Sequence, residues 1–354
     1  MTPFPTPGIS WSDHSGSPQF RAGRFRNARE QQPVARTESG LKLGWDFLFN
    51  KPATTTPDGP LPLHRLTRAE LDATPAPSLY RLGHSSVLIR LRSGWWLTDP
   101  VFSLRASPVQ FAGPKRFHPV PITAAELPPL AGIVLSHDHY DHLDKATITE
   151  LAPKTGVFLT PLGVGDRLID WGVPRAQVRQ LDWWEEAEVD GVRLIATPAQ
   201  HFSGRTLSDS NRTLWASWVI DEGDLRLFFS GDTGYHDGFA EIGRRLGPFD
   251  LTMMETGAYS DNWPFVHMHP RETVQAHLDL GGRWLLPIHN GTFDLAMHPW
   301  DDPFEQVLAY AAPHDIEVTT PVFGDRLDLT APHPGERWWR TVGTSTAETA
   351  GDRR

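Results

Sequence analysis

The chain has 354 residues, 39% of them hydrophobic and 21% charged, a composition that excludes disorder over most of its length. A net charge of −10 argues against a nucleic-acid binder, which presents a basic face to phosphates. There are no cysteines, so disulfides, thiolate nucleophiles and sulfur-ligated zinc are excluded, and any metal must be held by the 16 histidines or by carboxylates. This fits a reducing, cytoplasmic setting. No run of 18 apolar residues predicts a spanning helix. The start, Met1-Thr2-Pro3-Phe4-Pro5, has neither the basic nor the apolar region of a secretory signal.

In chain order, residues 1–62 are rich in Pro, Gly, Ser and Thr and read as an extended arm with one short apolar helix at 41–49. Residues 21–36 hold five arginines against Glu30. The plain reading is a solvated arm wrapped on the domain; the sharper one is a docking strip for an anionic membrane surface. Residues 63–340 form the folded body. Strands are expected at 86–91, 95–98, 132–135, 156–160, 192–196, 215–220, 225–229 and 284–288. Helices are expected at 143–151, 166–171 and 270–278. Strands and helices alternate, with antiparallel meanders mixed in, which predicts an α/β layered domain. The paired tryptophans at 95–96, 183–184 and 338–339 read as core or rim. Residues 341–354 read as a disordered tail.

The chemistry concentrates in Ser136-His137-Asp138-His139-Tyr140-Asp141-His142, which follows a buried strand and precedes a helix. His137 and His139 are two apart, so an extended backbone puts both on one side. Asp141 and His142 fall where the chain turns into the helix. Further strand ends each offer one more ligand: His201 after Thr197-Pro198-Ala199-Gln200, Asp232 after Ser230-Gly231, and His289 after Pro287-Ile288. Each alone is weak, since a histidine at a strand end is more often structural. Together they are specific.

His-x-His-x-Asp-His followed by one His, one Asp and one His resembles the ligand order of the metallo-β-lactamase superfamily. Asp99-Pro100-Val101-Phe102, the stretch from Phe111 to Pro119, Thr197 to Arg205, and Gly231-Asp232-Thr233-Gly234-Tyr235 are similar to its N-acyl-phosphatidylethanolamine-hydrolysing phospholipase D branch and bacterial relatives of that branch. The resemblance implies a four-layer αββα fold, two mixed sheets sandwiched between helices, with a metal site at one sheet edge. It implies two zinc ions, or manganese or iron(II) in their place. His137, His139 and His201 would hold one and Asp141, His142 and His289 the other, with Asp232 bridging. Asp99 and Asp144 would orient ligand histidines from behind. His267 aligns with an active-site histidine of the branch. His84 sits before an early strand, at a position compatible with the site.

The implied function is a dinuclear-zinc phosphodiesterase acting on N-acyl-phosphatidylethanolamine or a related glycerophosphodiester through a metal-bridging hydroxide. His267 or Asp232 would supply the leaving-group proton, and Lys115, Arg116 or Arg205 would add charge toward the phosphate. The alternatives are a lactone, thioester or carboxylic-ester hydrolase on the same site, and a non-catalytic metal-stabilised binding or regulatory protein. The expected partners are a small-molecule or phospholipid substrate, a membrane surface touched peripherally, and a second copy in a homodimer; no nucleic acid is expected.

Overall fold

Neighbouring residues of single strands are buried in different cores. Val87, Ile89 and Leu91 pack in one cluster and Leu88 in another; Ile220 and Val219 divide in the same way. Side chains alternate across a strand, so a strand buried on both sides needs a layer over each face.

The computed structural model describes residues 9–29, 42, 45 and 50–343. Of the helix expected at 41–49, only Lys42 and Trp45 are described. Arg36 and the tail beyond 343 lie outside the described residues. The arm opens with a two-stranded hairpin, β1 (Phe20–Arg21) and β2 (Arg24–Phe25). A short helix, α1 (Arg68–Asp72), starts in a capping box between Thr67 and Glu70.

The first sheet holds β3 (Ser78–Gly83), β4 (Ser86–Leu91), β5 (Gly94–Thr98), β6 (Leu130–Val134), β7 (Thr155–Pro161) and β8 (Val178–Leu181). The second holds β9 (Glu186–Val189), β10 (Val192–Thr197), β11 (Ser217–Asp221), β12 (Arg226–Phe229), β13 (Phe249–Glu255), β14 (Gly282–Ile288) and β15 (Glu317–Val318). The last strand, β16 (Arg326–Asp328), returns to the first sheet beside β3. The orders are β16-β3-β4-β5-β6-β7-β8 and β15-β14-β13-β12-β11-β10-β9. Each sheet is antiparallel in one half and parallel in the other, with the change at β5 and at β12.

Between the sheets lie Leu79, Ile89, Trp96 and Leu159 from the first and Leu194, Trp218, Phe229 and Met253 from the second. On the outer face of the first sheet, α2 (Lys145–Leu151) and α3 (Val164–Asp170) add Ile148, Leu151 and Leu168. On the outer face of the second, α4 (Gly238–Leu246), α5 (Pro270–Leu280) and α6 (Asp302–Ala311) add Phe239, Val274 and Val307. The result is the four-layer αββα architecture. Trp95, Trp96, Trp183, Trp338 and Trp339 are all buried. No helix among the described residues is long and apolar enough to cross a membrane.

The pattern left some elements unforeseen. β13, Phe-Asp-Leu-Thr-Met-Met-Glu, alternates apolar and polar residues from Phe249 to Met253 but has little β-branched content, and β12 and β14 flank it in parallel register. The strand expected at 215–220 begins only at Ser217, though Trp215 and Ala216 are buried.

Candidate metal centre

Chain segments leaving strand ends on one edge of the sandwich converge. β3 leads to His84, β5 to Asp99, β6 to His137 and His139, β10 to His201, β12 to Asp232, and β14 to His289. β13 ends at Glu255 itself. Three of these positions, His84, Asp99 and His289, carry positive φ values of 48°, 33° and 64°. Non-glycine residues rarely adopt that conformation, and its clustering marks a backbone bent to aim side chains.

The imidazole nitrogens of one group face each other. His137 Nε2 lies 2.9 Å from His139 Nδ1, which lies 3.2 Å from His201 Nε2. Asp232 Oδ2 is 3.8 Å from both His137 and His201. In a second group, His84, Asp141, His142 and His289 also bring ligand atoms within 4.8 Å of one another. Asp232 reaches this group too: Oδ1 is 3.0 Å from His142 Nε2 and Oδ2 is 3.1 Å from His289 Nε2.

The donor set fits a divalent cation. Tetrahedral bonds of ~2.0–2.1 Å place ligand atoms about 3.3 Å apart, close to the spacings of the three histidine nitrogens. His142 Nε2, His289 Nε2 and Asp232 Oδ1 are buried and, close as they lie, make no well-aligned hydrogen bond among the described residues, which a polar interior does not tolerate unless something else satisfies them. Burial holds His137, His139 and His201 below the ordinary imidazole pKa, and so in the neutral form that offers a lone pair. Burial would raise the pKa of Asp232, but His142 and His289 hold it well below the usual carboxylate range.

Partners behind the ring fix which nitrogen is offered. His142 Nδ1 donates to Asp99 Oδ2 at 2.7 Å, and the other oxygen of Asp99 accepts from the Ser136 N–H at 2.7 Å. Asp99 is fully buried. His201 Nδ1 donates to the Val266 carbonyl at 3.1 Å. These two imidazoles thereby present Nε2 forward. Asp144 does something else. It caps α2, accepting from Ala146 N, Ser103 N and Thr147 Oγ1, and its recorded bonds include no ligand histidine.

Glu255 was not anticipated. It is fully buried, accepts from His267 Nδ1 at 3.0 Å and from the Met268 N–H at 3.0 Å, and lies 3.7 Å from His289 Nδ1. Burial pushes its carboxyl pKa up. An acid closing an apolar strand just before Thr256-Gly257 was the available signal, the same one that marked Asp232. His267 stands at the centre, grouped with Asp232 and His289. His84 Nε2 lies 3.1 Å from Asp141 Oδ2, and its ring packs on His289 with centroids 4.0 Å apart.

A cleft of about 410 Å³ opens over these groups, lined by His139, Asp141, His201, Asp232, His267 and His289. Phe202, Trp263, Val266 and Leu295 form its apolar wall. Lys115, Arg116 and Arg205 are not among its lining residues. Arg116 is buried and donates to the Val101 carbonyl, and Arg205 donates to the carbonyls of Asp138 and Leu143.

A sandwich of two mixed sheets with histidines and aspartates gathered at its strand ends is the architecture of the metallo-β-lactamase-fold hydrolases. Residues 94–290, more than half the chain, match the beta-lactamase superfamily domain, and the chain belongs to that superfamily. It is 42% identical over 338 residues to protein Rv0906 of Mycobacterium tuberculosis, covering 92% of this chain and 88% of that one. It is 38% identical over 251 residues to N-acyl-phosphatidylethanolamine-hydrolyzing phospholipase D 1 of Caenorhabditis elegans, covering 67% and 70%. The fold is also that of Igni18, a metallo hydrolase from Ignicoccus hospitalis, with a TM-score of 0.54 and 19% identity over 71% of this chain and 97% of that one.

Proposed function

We propose that the protein is a dinuclear-zinc phosphodiesterase of phospholipase D type, acting on N-acyl-phosphatidylethanolamine or a closely related phospholipid. The observation that carries this reading is the apolar wall of Phe202, Trp263, Val266 and Leu295 set directly against the histidine and aspartate cluster. A polar phosphodiester could sit on the cluster while apolar chain packs on the wall. The similarity to the nematode phospholipase D supports the same substrate class.

His137, His139 and His201 would hold one ion, and Asp141, His142 and His289 the other. Asp232, whose two oxygens reach both groups, would be shared. Bound there, two divalent cations supply Lewis acidity toward a phosphoryl oxygen and a water nucleophile at neutral pH. The chain's own residues handle the proton and the fit. Glu255 takes the Nδ1–H of His267, so that His267 Nε2 is the nitrogen free to give a proton to the departing alkoxide oxygen. Glu255 also stabilises the charged imidazole before that transfer, as a carboxylate behind a catalytic histidine does. Phe202 and Trp263 form an apolar side of the cleft.

The test is a substrate panel on zinc-loaded protein. The expected result is conversion of N-acyl-phosphatidylethanolamine into phosphatidic acid and N-acylethanolamine. In ¹⁸O-water the label should enter the phosphatidic acid. Turnover of lactones or thioesters with none of phosphodiesters would replace this reading with carboxylic-ester hydrolysis on the same centre.

A further inference from the structure

The side-chain amide of Asn27, in the N-terminal arm, spans the main chain of His201. Asn27 Nδ2 donates to the His201 carbonyl at 3.0 Å, and Asn27 Oδ1 accepts from the His201 N–H at 3.1 Å. The same oxygen accepts from Trp215 Nε1 at 3.0 Å, and Trp215 is buried in the inner core. A planar amide bonded to both polar groups of one residue fixes that residue's position and rotation, as a neighbouring strand would.

His201 needs such a partner. β10 ends at Thr197, four residues earlier, so no sheet ladder holds its backbone. Among the described residues its main-chain N–H and C=O have no recorded hydrogen bond except those to Asn27. Without the amide, His201 itself would keep only its ring contacts to the Val266 carbonyl and to His139, with the chain on either side held through Gln200 and Ser203.

Asn27 is itself held firmly. Phe25 is fully buried, and its N–H donates to the Asn211 carbonyl at 2.8 Å. Ser12 donates through N and Oγ to the two oxygens of Asp166, both at 2.7 Å. Trp11 lies under Arg167, whose Nε donates to Asp138, between His137 and His139, at 2.7 Å. The superfamily match begins only at residue 94, so this arm lies outside it.

We infer that Asn27 is a positioning residue for the metal subsite of His137, His139 and His201, and that the N-terminal arm thereby completes the metal centre. This rests on the dinuclear reading above. The two can fail separately.

The experiment titrates metal-free, full-length protein with cobalt(II), following heat and visible absorption. The unmutated chain should take two ions; fewer than two would sink the dinuclear reading, on protein that carries no substitution. Asn27→Ala should weaken one of the two ions by roughly 10–100-fold, the usual range for a partner that orients a ligand, and alter that ion's visible spectrum. The other ion should bind as before. Should Asn27→Ala not fold, Asn27→Asp carries the test: it keeps Oδ1 for the His201 N–H and sets an oxygen against the carbonyl, with the same expected direction. Ser12→Ala loosens the arm at its far anchor and should leave both affinities unchanged. Wild-type binding of both ions by the Asn27 variants would overturn the inference. So would equal weakening of both ions, or an identical loss in Ser12→Ala, since either would mean that arm docking in general matters and the amide does not.

Discussion

His267 and Glu255 form a pair whose members have different sequence visibility. His267→Ala should lower kcat by ~10²–10⁴ on a phospholipid, the usual range for a general acid, with metal content intact by elemental analysis. The loss should shrink on a p-nitrophenyl phosphodiester, whose leaving group needs no proton; equal losses on both substrates would assign His267 to positioning. Glu255→Gln keeps the shape and removes the charge that stabilises the imidazolium, so it should lower kcat in the same substrate-dependent pattern. The histidines and aspartates that the structure brings together were legible because they stand at strand ends in an order that resembles a known ligand pattern. Asp99 was legible for a similar reason, as an acid closing a strand. Glu255 was overlooked, although Phe249, Leu251 and Met253 alternate with Asp250 and Thr252 before it; the alternation stops at Met254, and five residues with little β-branched content are a weak strand signal.

At the scale of elements, the layers were readable from apolar runs, and close packing set what those runs could not say. Gly132, on β6, has Trp96 of β5 against it; a Cβ there would meet the ring at 2.4 Å. Gly132→Ala should therefore cost about 1–3 kcal/mol of stability through overpacking, seen as a lower Tm, while metal uptake per folded chain stays unchanged. The arm shows the limit of composition as a guide. Its Pro, Gly and Ser content reads as an arm wrapped on the domain, and it does wrap, but composition does not say that Phe25 reaches the inner core and Ser12 reaches α3. Burial would raise the pKa of Asp166, but His14, Ser12 and Gln180 together bring it down to about 2. A lowered carboxyl pKa stabilises the docked arm above the ordinary carboxylate range, and the effect is lost as pH falls toward about 2. Hydrogen exchange at the Ser12 amide should thus stay protected at pH 5 and open between about pH 4 and pH 2. Protection that persists below pH 2 would show that Asp166 is not the anchor.

For the whole molecule, the centre joins the two sheets. His137, His139, Asp141 and His142 follow strands of the first, whereas His201, Asp232 and His289 follow strands of the second. Ions bound across that seam favour the folded state by mass action, about 2.7 kcal/mol when free metal is 100 times the dissociation constant. Chelation should lower the Tm by several degrees and zinc should restore it. A Tm indifferent to metal would mean that the apolar core between the sheets holds the layers without help.

The same seam sets when the protein can acquire its metal. The residues proposed as its ligands span His137 to His289, and the residue proposed to steady His201 lies at position 27. A chain emerging from the ribosome offers the His137–His142 cluster early, but the second sheet closes around it only after β14 has been made. Until then the nascent chain exposes a bare, histidine-rich loop with no geometry to choose among ions. The full set of groups proposed to hold metal is therefore together only once β14 has been made; before that, an ion would meet the His137–His142 groups alone.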